Sequence, residues 1–157
     1  MNTAAFQDLI PGIHCFGCGP DNEEGLRIKS YWISKNEAVC HYTPAPHQCS
    51  GPRQYVNGGI LATVVDCHTI CTAVADAYGR AGLEVGEGEM IAYATARLTV
   101  NYLKPVAISG PLELVARVGE TTEKKTWLTC SLNSDGEECV AAEILAVRVP
   151  SEWGRSI

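Results

Sequence analysis

Apolar residues along this chain follow two periods. Between residues 58 and 78 they fall on every side of a helix, as Ile60, Leu61, Val64, Val65, Cys67, Ile70, Cys71, Val74 and Ala77. After residue 90 they alternate. Leu112, Leu114, Ala116 and Val118 share one face, and so do Thr126, Leu128, Cys130 and Leu132, which is the two-residue period of a strand. The spacing therefore predicts a helix over 58–78 and strands over 90–103, 111–120, 124–132 and 138–149. Thr121-Thr122-Glu123 and Asn133-Ser134-Asp135-Gly136 are the expected hairpin connections. Two shorter strands are expected before the helix, over 26–33 and 37–43, where Val39, His41 and Thr43 alternate with Ala38, Cys40 and Tyr42.

Turn residues punctuate the rest. Pro11-Gly12, Gly17, Gly19-Pro20-Asp21-Asn22 and Gly25 make residues 1–25 an irregular leader. Prolines at 44, 46 and 52 make 44–55 a loop, and Gly79, Gly82, Gly86 and Gly88 mark a flexible exit from the helix. A helix apolar all round must be covered on several sides. The expected architecture is thus α+β: two strands, one long buried helix, then a four-stranded antiparallel meander curved around it, in one domain over 1–157.

Charge and cysteine content narrow the partners and the compartment. The formal charge is −6 and the longest basic run is Lys124-Lys125, so no nucleic-acid partner is expected. No run of 18 apolar residues occurs, so no membrane span is expected. Residues 1–10 lack a basic stretch followed by an apolar run. Without such a secretory signal, the eight cysteines, at 15, 18, 40, 49, 67, 71, 130 and 139, are expected as reduced thiols in the cytoplasm. Cys67, Cys71 and Cys130 sit among apolar residues and are expected to pack as small hydrophobes. Cys15-Phe16-Gly17-Cys18, with His14 beside it, has the spacing of half a zinc site. No second C-x2-C or H-x3-H follows, and His41, His47 and Cys49 join only through fold proximity. No metal is assigned, and a packed thiol-lined loop is expected.

Candidate chemistry gathers in residues 55–66. Asn57-Gly58-Gly59 opens the helix, and Asp66 is the carboxylate about two turns inside it. A helix start leaves backbone N–H groups without partners and with partial positive charge. A carboxylate among apolar residues is costly without a partner or a task. A donor for a developing oxyanion and a carboxylate are the minimum for attack on a carbonyl. Eight residues of helix span roughly 12 Å, so one reacting carbon cannot touch both Gly58 and Asp66 of the same chain.

These motifs resemble the hotdog-fold acyl-CoA thioesterases of the phenylacetate-pathway type. That family carries His-Gly-Gly followed by an Asp seven residues after the second Gly, matched here by Asn57-Gly58-Gly59 and Asp66. Its long strand ends in Tyr-Leu-x-Pro, matched by Tyr102-Leu103-Lys104-Pro105, and the Cys15-Phe16-Gly17-Cys18-Gly19 leader, with Asn22 and Gly25-Leu26, resembles that of a subgroup. The resemblance spans roughly residues 14–149. It implies that the Gly58 amide polarises a thioester carbonyl, that Asp66 is general base or nucleophile, and that Thr95 positions the attacking water. It further implies a binding role for Asn57 and Gly59, no cofactor, and an acyl-CoA-type substrate. With the helix-length argument, it implies a site shared across a homodimer or a dimer of dimers.

The chain departs from the family pattern in several places. Asn57 replaces the usual His and cannot act as acid or base near neutral pH. The loop over 44–56 is about two residues longer, and either Gln48 or Gln54 can supply the side chain that assists the carbonyl. His68 follows Asp66 at i+2 and does not face it, so a core or interface role is expected. Strand parity puts Thr95 with Tyr93, Arg97 and Thr99, pointing away from the helix unless a bulge intervenes. Arg53, Arg97, Lys104, Lys124 and Lys125 are the candidates for holding phosphates. His41, His47 and His68 keep open a hydratase or dehydratase acting on an acyl thioester. A non-enzymatic acyl-binding or metal-responsive module is the third reading.

Overall fold

The computed structural model describes residues 3–154, so residues 1–2 and 155–157 of the expected domain lie outside it. Strands β1 (Ser30–Trp32) and β2 (Glu37–Tyr42) precede helix α1 (Gly58–Arg80). Strands β3 (Ala92–Tyr102), β4 (Leu112–Thr121), β5 (Lys125–Ser134) and β6 (Glu137–Val149) follow it. The sheet is antiparallel, in the order β1-β2-β4-β5-β6-β3. It packs one face on α1. Leu61, Val64 and Val65 from the helix meet Leu112, Leu114, Cys130, Leu132, Val140 and Ile144 from the strands. This is the helix wrapped by a curved sheet that the hotdog resemblance implies. The 23-residue helix has the length and hydropathy to cross a membrane, but more than half of its most apolar stretch is buried against the rest of the chain. Its apolar circumference therefore serves the core.

The turn chemistry holds in detail at the β5–β6 hairpin. Asp135 and Gly136 both have positive φ, 50° and 76°, as a two-residue turn matched to strand twist requires. The strands accordingly run closer to the turn than the expected four-residue connection.

Two expectations are corrected. The four-stranded meander is three-stranded: β4, β5 and β6 are consecutive neighbours, but β3 lies at the sheet edge beside β6. The segment after β3 does not turn back as a hairpin. Its Val106 carbonyl accepts from Val56 N–H at 2.9 Å and its Ile108 N–H donates to the Gln54 carbonyl at 2.9 Å, so it ties to the helix entry loop before reaching β4. The first strand is also shorter than 26–33. Leu26 and Ile28 N–H donate to the Phe16 and Gly17 carbonyls of the leader, and Arg27 has φ 54°, which no strand accommodates.

His68 explains how the leader is fastened. It is fully buried, and its Nε2 lies 3.1 Å from the Ala38 carbonyl, which can only accept. Its Nδ1 therefore accepts from Ser30 Oγ at 2.8 Å, and Ser30 Oγ accepts from Gln7 Nε2 at 2.9 Å. Burial lowers the imidazole pKa to about 4, so the ring is neutral. His68 is a core residue that joins leader, sheet and helix.

Candidate active site

The helix start is built by Asn57. Its side-chain oxygen accepts from Gly59 N–H at 2.8 Å and Ile60 N–H at 3.3 Å, the normal work of an N-cap. A Cβ at Gly59 would lie 3.0 Å from that oxygen, so the cap itself favours glycine there. Gly58 N–H is left with no acceptor among the described residues. The Gly58 carbonyl accepts from the Tyr102 hydroxyl at 2.7 Å. That bond locks the peptide that follows Gly58 to the end of β3. A Cβ at Gly58 would touch only the Tyr102 ring, at 3.6 Å, so the chain's own packing does not demand glycine at this position.

Of the two glutamines, the fold brings Gln48 to the helix start. Its backbone carbonyl accepts from Asn57 N–H at 2.9 Å, and its side-chain oxygen accepts from Tyr42 and from Ala45 N–H. Gln48, Asn57, Ile60 and His47 line one cavity of about 280 Å³. Gln54 is exposed and does not line it.

Asp66 lies in a different cavity. Thr95 Oγ1 donates to Asp66 Oδ1 at 2.5 Å. The contact depends on a β-bulge: Thr95 pairs with Ala146 and Arg97 with Leu145, so Ala96 is an extra residue. The bulge shifts the parity of β3 and turns Thr95 toward the helix. Asp66 is half-buried, and desolvation raises its pKa, partly offset by the Thr95 hydrogen bond. Its Oδ2 has no partner among the described residues. The cavity it lines, of about 290 Å³, has apolar walls including Ile70, Val74, Ile91 and Tyr93.

Gly58 and Asp66 thus stay apart, eight residues or roughly 12 Å along one helix, and the Asn57 cap beside Gly58 lines a different cavity from Asp66. Among the candidate cations, Lys104 is paired with Glu137 at 3.2 Å, and Arg53, Arg97, Lys124 and Lys125 are exposed.

Sequence reasoning missed two features. Tyr102 was a motif residue, with no sign that its hydroxyl reaches Gly58. The thiols of Cys15 and Cys18 meet Cys67 from the helix, which lies in the Asp66 cavity wall. The Cys67-x3-Cys71 spacing, which puts both thiols on one helix face, was the available signal.

The family model described as the thioesterase superfamily matches residues 54–141, more than half of the chain. The chain belongs to the thioesterase superfamily. An acyl-coenzyme A thioesterase of Xenopus laevis, THEM4, is 25% identical over 117 residues, covering 74% of this chain and 46% of the relative. The chain therefore spans less than half the length of that relative. A thioesterase superfamily protein of Shewanella loihica PV-4, known by its crystal structure, is 28% identical with a TM-score of 0.62, over 78% of this chain and 91% of that one. The PaaI protein of E. coli, from the phenylacetic acid degradation operon, shares the fold at 17% identity, with a TM-score of 0.64 over 80% of this chain and 81% of that one. Membership of the superfamily supports acyl thioester hydrolysis in general.

Proposed function

We propose that this protein hydrolyses an acyl-CoA thioester, at a site completed by a second copy of the chain. The observation that carries the reading is the Thr95–Asp66 pair at an apolar cavity, with the second carboxylate oxygen unpartnered. Asp66 takes a proton from water, and the water oxygen attacks the thioester carbon. The developing oxyanion faces the unpaired amide of Gly58 from the second copy. Collapse breaks the carbon–sulfur bond, and the CoA thiolate leaves and takes up a proton. Asn57 and Gly59 shape the amide's approach, with Gln48 beside them, and the reaction calls for no redox cofactor. The apolar walls around Asp66 suit an apolar acyl group.

Two further observations support the shared site. Asp66 and the Asn57 cap of the helix start line separate cavities of one chain. Strand β3 is an 11-residue edge strand, long enough to pair with its own copy. A two-fold axis perpendicular to it pairs the two copies of β3 antiparallel, sets the two helices antiparallel and forms two identical sites. All eight cysteines are free, which suits a reducing, cytoplasmic compartment.

A hydratase needs an acid–base pair flanking adjacent carbons. Among the described residues no histidine of the same chain joins Asp66: His68 is in the core, His41 pairs with Glu113, and His47 lines the cavity beside Asn57, so a hydratase would have to draw its histidine from the second copy. The test is a panel of acyl-CoAs with a thiol-trapping dye. Turnover to free CoA is expected for apolar acyl groups. Tight binding without CoA release indicates the binding-module reading, and water addition to enoyl-CoA without CoA release indicates a hydratase.

A further inference from the structure

We propose that Cys15, Cys18 and Cys67 bind one soft metal ion of the zinc class, with Cys71 as the fourth ligand, pinning the leader to helix α1 beside the Asp66 cavity. The three sulfur atoms all lie within 4.8 Å of one another, and Cys15 and Cys67 are 3.6 Å apart. Thiolates ~2.3 Å from one tetrahedral zinc stand about 3.8 Å from each other, so the cluster needs only a small contraction. Cys71 lies one turn beyond Cys67 on the same helix face and lines the same cavity as the three clustered thiols. The donors thus come as a C-x2-C loop and an i, i+4 helix pair, two elements converging on one point.

The loop is shaped for this approach. A Cβ at Gly17 would lie 2.2 Å from the Cys67 sulfur, and one at Gly19 would lie 2.4 Å from Cys15 N. Only glycine at both places lets the loop fold tightly and sit on the helix. Gly19 N–H donates to the Cys15 carbonyl at 2.8 Å, closing the turn. Cys40 and Cys130 lie in the same core but outside this cluster. Cys15 is exposed, which leaves an entry path for an ion. On binding, each thiol gives its proton to solvent and the sulfur lone pair to the metal, with no change of oxidation state. The soft thiolate set selects zinc over magnesium or calcium.

The experiment is elemental analysis of protein loaded with zinc and desalted, together with cobalt substitution of the same protein. The expected result is about one ion per chain and intense sulfur-to-cobalt charge-transfer absorption. Both should be lost in Cys18→Ser and kept in Cys130→Ala. In the wild-type protein a chromophoric chelator should release the ion and expose the clustered thiols to a thiol reagent together, a readout that needs no variant to fold. No bound ion after loading, an ion that survives Cys18→Ser, or a Cys15–Cys67 disulfide in its place by mass spectrometry would overturn the proposal. None of these readouts uses thioesterase activity, so they stand apart from the reaction proposed above.

Discussion

Replacing Thr95 by Val removes one hydroxyl and keeps a β-branched residue of nearly equal shape on β3. The lost contact is the 2.5 Å hydrogen bond to Asp66 Oδ1. Hydrogen bonds to charged groups contribute about 1.5–3 kcal/mol. Thr95 is exposed in the isolated chain, so the lower part of that range applies. With about 1.36 kcal/mol per tenfold in rate, kcat should fall roughly 10- to 30-fold if the bond holds Asp66 in its reacting orientation. KM should change little, because the hydroxyl is occupied by the carboxylate and not by substrate. Thr95→Ser keeps the donor and should retain most of the rate. Initial rates of CoA release across substrate concentrations separate the two parameters, and a melting curve checks that the fold is intact. Thr95→Val turning over within twofold of wild type would refute the positioning role. Equal damage in Thr95→Ser would show that the methyl group matters, not the hydrogen bond.

Asp66→Asn should lower kcat at least about 10²-fold. Its melting temperature should be unchanged or slightly raised, because the neutral amide escapes the desolvation that the carboxylate suffers; turnover near the wild-type rate would move the base elsewhere. Asn57→Ala should cost about 1 kcal/mol of stability in chemical denaturation, since the Gly59 and Ile60 amides lose their cap. It should lower kcat less than Gly58→Val, and the reverse order would give the polarising role to the side chain at 57. Sedimentation should find a dimer or a dimer of dimers, and a stable, active monomer would refute the shared site.

Elements set by local pattern were legible in the sequence. The helix begins at the Asn57 cap, and the Asp135-Gly136 turn follows from residues that accept positive φ. Features set by distant partners were not. The placement of β3 beside β6 depends on how the segment after β3 bonds to Val56 and Gln54, which periodicity does not encode. Thr95 is the sharpest case. Two-residue parity aims it away from the helix, and the single extra residue Ala96 reverses the outcome. The thiol cluster was legible only in halves, as the Cys15-x2-Cys18 and Cys67-x3-Cys71 spacings, because the two pairs meet across 52 positions from Cys15 to Cys67.

The arrangement makes one helix carry most of the chemistry. Its first turn offers an amide, its third a carboxylate, and the adjoining positions Cys67 and Cys71 two thiols. The sheet adds two hydroxyls to this helix, Thr95 on the carboxylate and Tyr102 on the Gly58 carbonyl, both from β3. Those two hydroxyls fasten both ends of the catalytic segment to the same edge strand. A distortion of β3 would therefore disturb the amide and the carboxylate together, although they are too far apart to act on one substrate within a chain. The leader has a different part. Phe6, Ile10 and Ile13 form a wall of the Asp66 cavity. Gln7 and the thiol loop fasten that wall to Ser30 and Cys67. Loss of either β3 hydroxyl, in Thr95→Val or Tyr102→Phe, should hence change kcat across all acyl groups alike, whereas Ile13→Ala in the leader wall should change the ranking of acyl groups by KM and leave kcat on the smallest one nearly untouched. Equal losses on every acyl-CoA in the panel would show that the leader supports the catalytic segment and does not select the acyl chain.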